Sequence, residues 1–111
     1  MYYLSNGFSP TFLRYPIIGE VHHLDITRIS ANEAGEILRT NKFRSVYGHK
    51  TTAGHLAKYL HIYVPVRRDT IELTKRDTLI VAKASMSREF REDKSKAPKW
   101  QFFKVRIARR K

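Results

Sequence analysis

The sequence predicts a single small α/β domain, a mixed β-sheet of about five strands flanked by helices. Three observations carry this reading. At 111 residues the chain has the length of one domain. Short runs of β-branched and aromatic residues alternate with two segments whose apolar residues recur every three or four positions. The order, two strands, two helices and then further strands, suits one mixed sheet with helices packed against it. Apolar residues make up 41% of the chain and aromatics 12%, enough for a packed core despite the high charge. A chain this small gains buried surface by pairing, which makes a dimer one expectation.

From the N-terminus, "YYLS" reads as a strand, and "NGFSPTFLRYP", with Asn-Gly, Ser-Pro and Tyr-Pro, as a loop with room for one helical turn. Ile17 to Ile26 is rich in β-branched and apolar residues and reads as a second extended segment. Ser30 with Glu33 three residues on forms a capping box, opening a helix with Ala34, Ile37 and Leu38 as its apolar stripe and Gly35 as a mild weakness. A second helix is expected from about Lys50 to Leu60, where Ala53, Leu56, Ala57 and Leu60 define a buried face turned away from His49. "IYVP", "TIELT" and "TLIVAKAS" read as strands, the last two joined into a hairpin by a turn at Arg76-Asp77. Residues 86 to 98, "MSREFREDKSKAP", carry dense charge and read as an exposed loop; "WQFFKVRIA" follows as a strand, and residues 109–111 as a basic tail. Neither an internal repeat nor a linker divides residues 1–111.

The net charge is +12, and residues 88 to 111 hold ten Lys or Arg against three acids, +7 of that total. An anionic partner follows naturally, with phosphate the commonest choice, whether in nucleic acid, a nucleotide or a membrane surface; a merely soluble basic surface is the alternative. With no cysteine, disulfides and thiolate metal sites are excluded. No apolar run approaches the ~20 residues needed to span a bilayer, and "MYYLSNGFSP" lacks the features of a signal peptide, so a soluble, cytosolic protein without membrane partners is expected. His49, His55 and His61 are six apart, which on a helix turns each ~240° from the last, and the adjacent His22 and His23 point to opposite faces of a strand. These spacings disfavour a shared metal site, and no metal or cofactor is assigned.

In "SVYGHKTTAGHL", His49 follows a glycine at the start of a helix. Unpaired backbone N–H groups and the positive dipole end favour phosphate there, Thr51 adds a hydroxyl, as does Thr52, and Gly48 would let a ligand approach the backbone. The alternative is that His49 merely occupies a polar turn. Arg67-Arg68 before a strand reads as a solvated pair, and Ser87-Arg88 equally as a plain loop start or a ligand site.

Taken together, "YYLSNGFSPTFL", "FRSVYGHKTTAGHLAKYL", "VPVRRDTIEL" and "DTLIVAKASMSR" resemble, in order and spacing, the viral ring nucleases, anti-CRISPR proteins of archaeal viruses and phages that destroy cyclic tetra-adenylate. The resemblance covers roughly residues 2 to 88. It implies an α/β homodimer that cups the ring at its interface and cuts it without metal, silencing type III CRISPR defence from the host cytoplasm. It further implies His49 as the acid that protonates the leaving 5′-oxygen and Arg88 as the group on the scissile phosphate, with Arg68, Asn6, Gly7, Ser9, Gly48 and Thr51 toward the ligand. Where the family places an acid three positions after its arginine, this chain has Arg91; Glu92 takes that place by a one-residue slip, and Glu89 is the poorer candidate. Two other readings stay open: a ligand sponge on the same fold, and a small basic protein that contacts DNA or RNA non-specifically through its C-terminal region.

Overall fold

The computed structural model describes residues 1–13, 18–85 and 99–108. The expected loop at 86 to 98 and the tail at 109–111, and with them Arg88, Glu89 and Glu92, lie outside the described residues. Five strands and two helices follow in the order β1 (Tyr2–Ser5), β2 (Leu24–Ile29), α1 (Ala31–Thr40), β3 (Phe43–Ser45), α2 (Lys50–Leu60), β4 (Thr78–Ser85) and β5 (Lys99–Ile107), with a 3-10 turn at Pro10–Phe12. The strands form one mixed sheet ordered β2-β5-β4-β1-β3. On one side of it β1 runs parallel to both β3 and β4; on the other, β5 runs antiparallel to β4 and β2. The α/β fold of about five strands flanked by helices is therefore as the sequence indicates.

Both faces of the sheet are covered. Leu4, Ile80, Ala82 and Phe102 pack under α1 and α2, meeting Ala34, Leu38, Ala53, Leu56 and Leu60. Leu79, Val81 and Val105 point the other way, where Ile71, Leu73, Phe8 and Phe12 from irregular chain lie over them. This second cover explains two departures from the expected elements. "TIELT" has the period-two burial of a strand, with Ile71 and Leu73 both buried, but its backbone makes a single bridge, Leu73 to Leu13, so it is a lid over the sheet and not part of it. The turn before β4 exists, tied by Asp77, whose Oδ2 accepts from the Thr74 amide at 2.8 Å and the Thr74 hydroxyl at 3.0 Å, yet it joins no hairpin.

"IYVP" is also not a strand. Its first residue belongs to the end of α2, where His61 takes a left-handed conformation (φ 55°, ψ 48°) and the Ile62 amide returns to the Ala57 carbonyl at 3.1 Å. Beyond Pro65, which has no N–H to give, Val66 makes only an isolated bridge to Tyr47. The second extended segment begins later than Ile17 to Ile26 suggests: Ile18 and Val21 are exposed, and pairing runs from Leu24 to Ile29 opposite Ile107 to Phe102. A strand that composition did not suggest, β3, separates the helices. The capping box holds, with Ser30 accepting from the Glu33 amide at 3.1 Å. Among the described residues no helix is long and apolar enough to cross a membrane.

Candidate functional site

Three parallel strands, β1, β3 and β4, end on the same edge of the sheet, and such carboxyl edges are where open α/β sheets hold ligands. The Val46 amide donates to the Leu4 carbonyl at 2.8 Å just past β3, so the chain after β1 (Asn6, Gly7) and the chain after β3 (Tyr47, Gly48, His49) leave the sheet side by side. Ser5 pairs with Val81, so β4 continues four residues past the end of β1, to Ser85. The candidate site is the corner these segments enclose.

His49 is the N-cap of α2, with extended backbone, and its carbonyl accepts the first helical bond, from the Ala53 amide at 2.8 Å. An N-cap residue usually spends its side chain on the free amides behind it. This one makes no side-chain cap bond, and the residue is exposed. The imidazole is therefore available for other chemistry. The amides of Lys50, Thr51 and Thr52 precede the first residue that donates within the helix, so they face outward with the positive end of the dipole. Thr51 is exposed beside them, whereas Thr52 is buried.

Arg68, twenty positions on from Gly48, closes on the same turn. The Arg67 amide donates to the Tyr47 carbonyl at 3.1 Å, and Arg68 Nε donates to the Gly48 carbonyl at 3.3 Å. A Cβ on Gly48 would lie 3.3 Å from Arg68 Cγ, so glycine lets the arginine lie flat against the backbone. With Nε engaged, the terminal nitrogens of Arg68 remain for a phosphate, and no carboxylate pairs with it among the described residues. Its neighbour is occupied differently: Asp69 accepts from Arg44 at 3.2 Å and sits 3.8 Å from Arg67. Among the described residues, the pair Arg67-Arg68 thus divides into one guanidinium that is ion-paired and one that is not.

Tyr47 fixes this corner, and sequence reasoning did not single it out. It is fully buried, and its hydroxyl donates to the Ala82 carbonyl at 3.0 Å, bridging from the exit of β3 to the overhanging part of β4. Burial pushes that hydroxyl well above the ordinary tyrosine range, which keeps it a donor. A large amphipathic ring immediately before Gly-His was the available signal.

The remaining expected residues are placed less centrally. Gly7 is held by Ser5, whose buried hydroxyl donates to the Gly7 carbonyl at 2.8 Å, and Asn6 is exposed at the tip of that turn. Ser9 spends its hydroxyl on the 3-10 turn, 2.8 Å from the Thr11 hydroxyl and 3.3 Å from its amide. A cavity of about 920 Å³ lined by Tyr3, Thr11, Arg44 and Ile71 opens on the face away from the helices and does not include His49. Among the described residues no three His, Asp or Glu side chains gather as metal ligands would.

A family model described as STIV B116-like matches residues 2–96. No curated protein matches the sequence. Twelve chains of solved structures match, among them B116 of Sulfolobus turreted icosahedral virus, with a TM-score of 0.71 and 14% identity over 94% of this chain and 97% of that one. At that identity the likeness is one of fold.

Proposed function

The chain belongs to the STIV B116-like family, a viral protein family, and from this premise and the helix-start histidine we propose that it is a metal-independent ring nuclease that opens cyclic tetra-adenylate and so silences type III CRISPR signalling. The observation that carries the reading is His49: an exposed imidazole uncommitted to its own helix cap, at the carboxyl edge of three parallel strands, with the Gly48–Arg68 pair against it.

In the proposed reaction a ribose 2′-oxygen, shedding its proton to water, attacks the adjacent phosphorus. The bond from phosphorus to the 5′-oxygen breaks, and His49 delivers a proton to that oxygen. The products are a 2′,3′-cyclic phosphate and a 5′-hydroxyl, and no external nucleophile is consumed. Arg68 and the outward amides of α2 hold ground-state phosphate; Arg88 is assigned the charge that builds on the scissile group, and Glu92 the place of the family's acid. Asn6, Gly7, Ser9 and Thr51 are assigned to the ligand's periphery. The active species is a homodimer, since one patch used twice suits a ligand with two-fold symmetry.

The test is incubation with cyclic oligoadenylates of different ring size, read by mass spectrometry. Linear products ending in 2′,3′-cyclic phosphate are expected from the four-membered ring. Binding without any cleavage would replace the enzyme reading with that of a ligand sponge, and duplex DNA bound in preference to the ring would replace it with a DNA-binding protein.

A further inference from the structure

The groups assigned to phosphate at the corner, Arg68 and the outward amides of α2, have no means of telling one base from another. Reading a base takes a hydrogen-bond donor and an acceptor held in fixed order. Strand β4 supplies such a pair where it outruns β1. Within a strand the backbone groups of alternate residues point to the same side, and two bonds fix which side that is. The Thr78 amide donates to the Met1 carbonyl at 3.0 Å, and the Ala82 carbonyl accepts from the Tyr47 hydroxyl at 3.0 Å. Thr78, Ile80, Ala82 and Ala84 therefore turn their N–H and C=O groups toward the β1 side.

The β1–β4 ladder ends with Ser5 opposite Val81, and the chain after Ser5 turns off through the bond from its hydroxyl to the Gly7 carbonyl at 2.8 Å. Ala84 is left with a donor and an acceptor facing a place that no strand enters, and among the described residues nothing bonds to them there. On its other side β4 stays paired to β5 without a break from Leu79 to Ser85, so the segment keeps its extended form. Ala84 lies two residues, or ~7 Å of strand, beyond the carbonyl that Tyr47 holds, and Tyr47 stands two residues before His49. The residue is half-buried, with a single methyl as its side chain.

We propose that Ala84 is a specificity-determining residue of the ring nuclease, its backbone C=O accepting from the 6-amino group of an adenine and its N–H donating to the neighbouring ring nitrogen. The inference rests on the ring-nuclease reading and adds to it the choice of base. Peptide groups fixed in a strand cannot exchange donor for acceptor. Hypoxanthine, with a 6-oxo group where adenine has its amino group, would set oxygen against oxygen at the Ala84 carbonyl. The Asn6 carboxamide, exposed at the same corner, is also both donor and acceptor, but it can flip and so serves either base.

The test is a competition in one tube between equal amounts of cyclic tetra-adenylate and the cyclic tetramer of inosine. Mass spectrometry of the bound and opened fractions scores preference whether the protein cuts the ring or only holds it. The full-length parent is compared with a protein carrying lactic acid at position 84, whose ester link deletes the Ala84 N–H and keeps the shape of the strand. The parent should favour the adenine ring about 100-fold, and the ester should cut that preference about tenfold by weakening use of the adenine ring alone. The Ala84 amide proton of the parent should move downfield on binding the adenine ring. Equal use of the two rings by the parent, or an ester protein that keeps the parent's preference, overturns the inference and leaves the ring-nuclease reading standing. A parent that neither binds nor opens either ring overturns both.

Discussion

His49 caps its helix with backbone alone, and that separates its proposed chemical role from any structural one. In His49→Ala the helix start should survive and cyclic tetra-adenylate should bind about as well as to the parent, while cleavage slows ~100- to 10,000-fold, the usual worth of a positioned proton donor. Parent turnover should persist in EDTA, because the 2′-hydroxyl is the nucleophile and no metal-bound water is required. Full activity in the variant, or activity abolished by EDTA, would remove the histidine mechanism. Tyr47 gives the complementary case, a side chain that holds and does not react. Its hydroxyl is pushed above the ordinary value of about 10, so above that pH the unfolded chain releases a proton that the folded chain retains. The stability it contributes is complete below about pH 10 and falls as pH rises beyond it. Tyr47→Phe should cost about 1 kcal/mol at neutral pH, for the lost bond to Ala82, and should flatten this alkaline decline. Denaturant melts of both proteins from about pH 8 to about pH 11 would show whether the two curves converge.

At the scale of elements, how much the sequence reveals depends on whether a signal is local. Ser30 and Glu33 announce α1 because capping involves only neighbours, and Ser30→Ala should lower stability by about 1 kcal/mol, measured by thermal or denaturant unfolding. The stripe of Ala53, Leu56 and Leu60 likewise fixes α2, and with it the position of His49, from residues in one window. What stayed hidden is what depends on distant partners. Three residues, Phe43–Ser45, are too short to be read as a strand, and they become one because β1 supplies the pairing edge. Ile71 and Leu73 alternate correctly but cover a face, since burial periodicity says nothing of who bonds to the backbone. The candidate site divides the same way. The Gly-His at the helix start is legible locally, whereas the Arg68–Gly48 contact and the Tyr47 bridge join residues 20 and 35 positions apart. Gly48→Ala tests that contact: its Cβ would crowd Arg68 Cγ, which can swing away. Folding should be little affected, and ligand affinity should fall about tenfold, the worth of one charge-assisted bond, as measured by calorimetry.

For the whole molecule, the proposed pairing of two copies predicts a mass of two chains by light scattering at micromolar concentration, with and without ligand; a single-chain mass in both states would exclude a site shared between copies. The sheet order adds a consequence for how the protein comes into being. β1 leaves the ribosome before the other four strands, yet it is wedged between β3 and β4, and its partners on the β4 side begin at Thr78. Tyr47 in turn waits for Ala82. During synthesis the helix-start histidine therefore emerges long before the backbone that holds it in place, and a nascent chain halted before Thr78 should carry His49 without a formed site. Resistance of residues 1–50 to protease should appear only in nascent chains long enough for β4 to clear the exit tunnel, so the proposed site should form late and in one step.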